Sequence, residues 1–189
     1  MTGRRPGADA TRAAIIDAAE ALMVESGYAS VTSRGVAAKA GLKSNLLHYH
    51  FKTMDELFVA LYRRVAETFA REREAALASE RPLRRLWELT SDPKAVTIIF
   101  EFVALANHRK AVQAELATFG TRFRQLDVEI AAKVLARRGL GWVPGLPTVL
   151  AVIVESVSRS LSMQSAIGVT EGRDQTVALF LQAIDWLDS

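Results

Sequence analysis

The sequence contains no cysteine, three histidines and five prolines, and aromatic residues make up 7% of its 189 positions. Without cysteine there is no disulfide framework, no zinc finger and no thiol nucleophile, and the reducing cytoplasm is the expected compartment. His48 and His50 lie two positions apart, about 200° around a helix, and His108 stands alone. No metal site and no cofactor are therefore expected. No nucleophile elbow, P-loop or dinucleotide glycine motif appears, and the carboxylates and serines are not spaced for acid-base work, so no catalytic residues are assigned and an enzyme is excluded. Arg4 and Arg5 have no apolar stretch behind them to serve as a signal core. The most apolar window, Trp142 to Val154, is 13 residues long, is broken by Pro144 and Pro147, and ends at Glu155. A bilayer span needs ~20 apolar residues, so neither export nor a membrane partner is expected. Strand signals are also nearly missing, because no segment alternates apolar and polar residues between hairpin turns.

Half of the residues are hydrophobic and 24% are charged, which gives enough apolar surface to offset the ordering entropy of a folded core. The formal charge is +3, and its position is informative. Residues 1–52 hold seven basic side chains (Arg4, Arg5, Arg12, Arg34, Lys39, Lys43, Lys52) against four acidic ones (Asp9, Asp17, Glu20, Glu25), while the remainder is balanced. This asymmetry points to a polyanion as the partner of the N-terminal quarter.

Helical spacing runs through the whole chain, so the fold class is all-α, with about nine helices. Ile15, Ala18, Ala19, Leu22 and Met23 form one stripe of a first helix of about 15 residues, with Asp9 or Thr11 as its cap and Gly27 as its end. Thr32 caps the second helix, Val31 and Val36 are placed as a hydrophobic staple, and Gly35 stands where a capping box would have glutamate. After the turn Ala40-Gly41-Leu42-Lys43, a short third helix runs to about His50 with Leu47 and Phe51 inward. Thr53-Met54-Asp55-Glu56 then restarts the chain with a capping box. Two short helices joined by a glycine turn make a helix-turn-helix, whose second helix can enter the major groove. Further helices are predicted from Met54 to Ser79, Leu83 to Leu89, Pro93 to Ala106, Arg109 to Arg138, Thr148 to Ile167 and Arg173 to Leu187, with a Gly/Pro loop from Gly139 to Pro147.

The segment Ala29-Ser-Val-Thr-Ser-Arg-Gly-Val-Ala-Ala-Lys-Ala-Gly-Leu-Lys-Ser-Asn-Leu-Leu-His-Tyr-His-Phe-Lys-Thr-Met-Asp-Glu-Leu-Phe58 resembles the DNA-binding region of the TetR (tetracycline-repressor) family of transcription regulators. The resemblance covers about 50 N-terminal residues. It implies a three-helix DNA-binding domain at residues 1–53 and a helical ligand-binding and dimerisation domain at residues 54–189. It also implies that Thr32 touches a phosphate as it caps its helix. Lys43, Ser44, Asn45 and Leu46 start the recognition helix, Tyr49 is a variable DNA-touching position, and His50 and Lys52 lie beside the backbone. Lys43 replaces the usual serine cap, so Ser44 is expected to cap in its place. Asn45 replaces a glycine, and an amide there reads adenine. Leu46 contacts a thymine methyl or packs, and His48 replaces a tyrosine. On charge alone, Arg34, Lys43 and Lys52 would release counterions from phosphates, Arg4 and Arg5 form either a groove-entering arm that does the same or a disordered tail, and Lys39 reads as a solvated charge.

The C-terminal part is rich in apolar and aromatic residues. The resemblance implies an effector site here, for which Trp87, Ile99, Phe102, Phe123, Trp142 and Arg159 are candidate lining, with Glu101, Asn107 and His108 as further polar groups. A mainly apolar lining favours a small lipophilic or aromatic effector. The last two helices are apolar on more than one face, which requires burial on two sides. Val152, Leu161, Phe180, Ile184 and Leu187 are the candidate contacts of a homodimer bundle. The expected function is a ligand-responsive repressor that binds a palindromic double-stranded DNA operator as a homodimer. The alternative is a DNA-binding regulator controlled by a protein partner, with no small-molecule effector.

Overall fold

The computed structural model describes residues 7–189, so the Arg4/Arg5 arm lies outside the described residues. Within them the chain is all helical: α1 (Ala8–Ser26), a 3-10 turn (Tyr28–Ser30), α2 (Ser33–Lys39), α3 (Ser44–His50), α4 (Met54–Ala78), α5 (Pro82–Ser91), α6 (Pro93–Ala106), α7 (Lys110–Arg137), α8 (Leu146–Ala166) and α9 (Arg173–Asp188). α1 is longer than predicted, at 19 residues, because neither Asp9 nor Thr11 caps it. Gly7 takes that place, and its carbonyl accepts hydrogen bonds from the Thr11 amide at 3.0 Å and hydroxyl at 3.3 Å. The 3-10 turn was not foreseen, since three residues carry no periodic signal.

Two compact units make up the described chain. The first comprises the residues up to Val65 together with Thr97–Ala117. Ile15, Ala19, Met23, Val36, Leu47, Phe51, Leu57 and Leu61 are its buried apolar centre. Thr32 caps α2 as predicted, its hydroxyl accepting from the Gly35 amide at 3.1 Å, and Val31 and Val36 are both buried as a staple requires. Gly35 has a steric reason: a Cβ there would lie 3.0 Å from the Ser30 carbonyl and 3.1 Å from the Thr32 hydroxyl. At the start of α4, Glu56 donates its amide to Thr53 Oγ1 at 3.2 Å and accepts from the Lys52 amide at 2.9 Å. The end of α6 and the start of α7 belong to this unit. Glu101 accepts from the Tyr28 amide at 2.6 Å, Arg63 grips Glu115 at 2.6 and 2.8 Å, and the Tyr62 and Phe102 rings meet at 4.9 Å. The Arg63 charge holds the Glu115 carboxyl below its usual value, chiefly through the hydrogen bond.

The second unit is Ala66–Val96 with Thr118–Ser189. Ala76, Leu83, Leu86, Trp87, Ile130, Val134, Val154 and Ile184 form its core. α5 begins with Pro82 and has no side-chain cap of its own. The Asp188 carboxylate serves instead, accepting from the Leu83 and Arg84 amides at 3.1 and 2.8 Å and so fixing the end of α9 against the start of α5. The expectation that no helix reaches membrane length needs correction. α8, at 21 residues with a mean hydropathy of 1.3, is long and apolar enough by length and composition. The predicted window stopped at Glu155, but Val157, Leu161 and Met163 continue the apolar run beyond it. Glu155 is paired with Arg124 and with Arg159, the latter at 2.8 Å, and only one side of the helix (Ala151, Val154, Ser158) is buried in the unit.

Candidate nucleic-acid interface

α3 is seven residues long and presents nearly all of them outward. Leu47 is fully buried, and Phe51, which ends the helix, is 1% exposed with the Arg12 guanidinium 4.8 Å above its ring. These two anchors fix the rotation of the helix. Lys43, Ser44, Asn45, Leu46, His48 and Tyr49 are exposed, and His50 is half-buried. Asn45 and Tyr49 are four residues apart and therefore neighbours on one face. Tyr49 is 77% exposed, and its ring meets that of His50 edge-on at 5.2 Å between centroids. A tyrosine so uncovered on a short helix presents both a flat apolar face and a hydroxyl to whatever docks there.

The predicted cap at Ser44 is not formed. Lys43 occupies the N-cap position without a side-chain hydrogen bond, and Ser44 is the first helical residue. Its hydroxyl is therefore presented at the helix start together with the Lys43 ammonium and the Asn45 amide.

The electrostatics of the first unit sharpen the charge asymmetry of the sequence. Asp17 and Glu20 on α1 are both paired with Arg64 of α4, and Glu25 pairs with Lys39 at 2.6 Å. Lys39 is thus a satisfied surface charge, as the sequence indicated. Arg34 at the start of α2, Lys43 and Lys52 carry no ion pair among the described residues and are exposed. These three cations, with the Thr32 hydroxyl, flank the outward face of α3 in sequence on both sides.

The candidate effector residues are distributed over both units. Ile99, half-buried, and Phe102, buried against Tyr62, belong to the first. Trp87 and Phe123 are buried in the second, where Trp87 packs on Phe180 at 5.1 Å and Arg159 is held by Glu155. Trp142, in the loop before α8, is 77% exposed and stands off that core. Glu101 is taken by the Tyr28 amide, and Asn107 and His108 are exposed. Of the candidate dimer residues, Val152 is exposed, Leu161, Phe180 and Leu187 are half-buried, and Ile184 is core. Val149, Ile153, Met163, Leu179 and Trp186 are exposed apolar residues on the same two helices.

A charged cluster in the second unit escaped the sequence reading. Arg73 of α4 and Asp127 of α7 are 5% and 1% exposed and meet at 2.9 Å, with the Arg73 guanidinium 4.6 Å over the Phe123 ring. The signal was there: Asp127 stands at a core position of the stripe Phe123, Asp127, Ile130, Val134, where a lone carboxylate needs a buried partner.

Residues 15–61 match the family model of bacterial regulatory proteins, tetR family. No curated protein matches the chain. Among solved structures, a transcriptional regulator from Pseudomonas aeruginosa PAO1 is similar with a TM-score of 0.74 at 19% identity, covering 97% of this chain and 93% of that one. A TetR-family transcriptional regulator from Rhodococcus sp. gives 0.72 at 21%, covering 95% and 98%. A transcriptional regulator from Saccharomonospora viridis in complex with choline gives 0.75 at 18%, covering 90% and 95%.

Proposed function

We propose that this chain is a TetR-family transcription regulator, a reading supported by the match of residues 15–61 to that family's model, and that it binds a palindromic operator as a homodimer and represses transcription by occupying it. A small lipophilic or aromatic effector, bound in the C-terminal part, releases it. Residues 1–53 serve DNA binding and residues 54–189 serve ligand binding and dimerisation, in the cytoplasm where the DNA is.

The observation that carries this reading is the outward face of α3, exposed from Lys43 to Leu46 and again at His48 and Tyr49, with Leu47 alone buried. Asn45 reads an adenine edge, while Tyr49 and Leu46 supply apolar contact and a hydroxyl. Arg34, Lys43, Lys52, Thr32 and His50 meet phosphates and set the register, with Ser44 and His48 at the margin of the read bases. The unpaired cations make the binding strongly dependent on salt.

Dimerisation is supported by α8 and α9. Val149, Ile153 and Met163 on the first, and Leu179 and Trp186 on the second, recur at helix spacing and are exposed. Two such stripes pairing with their copies about a two-fold axis form an isologous four-helix contact. The two recognition helices then address half-sites about one helical turn apart, ~34–36 Å, or a multiple of it. For the effector, support comes from the buried aromatic residues of the second unit, Trp87 and Phe123. The Saccharomonospora viridis relative, of similar fold, holds a small molecule, choline.

The test is a mobility shift on the DNA immediately upstream of the protein's own coding sequence, run over a salt series. Tight binding to a palindrome that weakens steeply with salt supports the reading. Equal, weak affinity for that DNA and for random DNA contradicts it.

A further inference from the structure

Ion pairs inside a helical unit are favourable only when every polar atom that leaves water regains a partner. In the second unit the charged cluster comes close to this and then stops. Asp127 Oδ1 accepts from Arg73 Nε at 2.9 Å, yet Asp127 Oδ2 is buried and has no hydrogen-bond partner. Arg124 gives Nη2 to Glu155 Oε2, and Glu155 Oε1 accepts from Arg159 Nη2 at 2.8 Å, yet Arg124 Nη1 is likewise buried and unpartnered. One orphaned acceptor and one orphaned donor thus lie on side chains three residues apart on α7, a spacing that makes them neighbours on the helix surface. Burial lifts the Asp127 carboxyl above its ordinary value, Arg73 and Arg124 pulling it down and Glu155 pushing it up, so Arg124 and Asp127 sense each other. Aromatic rings stand beside the pair: Phe123 carries the Arg73 guanidinium on its face and has Phe69 at 6.5 Å and Phe119 at 6.1 Å. An apolar surround with a few convergent polar atoms is the composition of a small-molecule site.

We propose that Arg124 and Asp127 are the polar recognition pair of the effector site, and that the effector is an apolar molecule bearing a hydroxyl group, phenolic or alcoholic. The proposal rests on the reading of this chain as an effector-controlled regulator. A hydroxyl is one atom that donates and accepts at once: it gives its hydrogen to Asp127 Oδ2 and receives one from Arg124 Nη1. An ether or ketone satisfies only the arginine. A carboxylate sets its charge against Asp127 and Glu155, and an ammonium group sets its own against Arg73, Arg124 and Arg159. Water has the same two-way capacity but brings no apolar body, so a hydroxyl-bearing apolar molecule gains over it at the phenylalanine rings.

The test uses the full chain and matched probes: 1-naphthol, naphthalene and 1-methoxynaphthalene, with 1-octanol as the aliphatic hydroxyl, by titration calorimetry and by release of operator DNA. The wild type is expected to bind 1-naphthol at least about tenfold tighter than the two analogues without a donor, the penalty for leaving a buried polar group unpaired. In Asp127→Asn and Arg124→Gln that preference should fall to about twofold or less, a loss of the discrimination set by the unpaired groups. Arg124→Gln leaves Glu155 paired with Arg159, so it stands if Asp127→Asn fails to fold. Equal binding of 1-naphthol and naphthalene, a preference that survives both substitutions, or no binding of 1-naphthol or 1-octanol overturns the proposal. Hydroxyl-selective binding that leaves the DNA complex intact keeps the site and refutes the effector reading. DNA release by all the aromatic probes alike keeps the effector reading and refutes the site.

Discussion

At the scale of single residues, two glycines on helices make opposite predictions. Gly120, inside α7, has nothing within 4 Å of a would-be Cβ. Gly120→Ala should therefore stabilise the protein by about 1 kcal/mol, the propensity difference between the two residues in a helix. Gly35→Ala gains the same propensity but drives its Cβ to 3.0 Å from a backbone oxygen, so its melting temperature should not rise. A rise at both positions by differential scanning calorimetry contradicts this account. Gly35 was legible in the sequence only as a missing glutamate, because the crowding comes from the 3-10 turn before it. Asp127 makes a pH prediction. Its carboxyl is raised above the ordinary value by burial, against the pull of Arg73 and Arg124 and with Glu155 adding to the rise. The folded state therefore holds the proton more tightly than the unfolded chain does. This contribution to stability is full below the ordinary carboxylate value, near 3.9, and is lost as pH rises through the elevated one. In urea unfolding from about pH 4 to 8, the wild type should lose stability relative to Asp127→Asn as pH rises, and a difference independent of pH contradicts it.

At the scale of elements, most helices could be read from periodicity and from their start and stop signals, and α6 falls on the predicted bounds, Pro93–Ala106. One helix start that was missed depends on a partner far along the chain. α5 starts at Pro82 rather than Leu83, and its amides are bound by Asp188, more than a hundred residues away. No local signal announces such a cap. Asp188→Ala should lower stability by about 1–2 kcal/mol, because it strips two amides of a charged acceptor. The loss should appear in denaturant melts, and an unchanged midpoint contradicts the capping role. The N-terminus of α3 failed for the opposite reason. Sequence preference placed the cap on Ser44, but the turn hydrogen bond from the Leu42 amide to the Ala37 carbonyl, at 2.8 Å, brings Lys43 to the N-cap first.

At the scale of the whole molecule, the apolar excess on α8 and α9 was legible as a need for burial on two sides, but not its division between core and surface. Ile184 is 2% exposed in the core and Leu179 is 68% exposed. Leu179→Glu should shift the protein to a monomer in sedimentation at micromolar concentration with its helicity intact. Ile184→Ala should instead cost about 2–5 kcal/mol of stability, the usual loss at a buried aliphatic. A monomeric wild type refutes the dimer. The outward face of α3 was the most legible part, since its spacing, anchors and glycine turn are all local in sequence. The buried charges of the second unit were the least, because their partners come from three separate helices, α4, α7 and α8. If α3 reads base edges while the surrounding cations read phosphates, Asn45→Ala and Lys52→Ala, each titrated on operator and on random DNA over a salt series, should differ in kind. Asn45→Ala should lose about 1–3 kcal/mol on the operator only, with its salt dependence unchanged. Lys52→Ala should weaken both DNAs alike and reduce the salt slope by about one. If Asn45→Ala leaves operator preference intact, or the two variants behave alike, α3 is not the reading element.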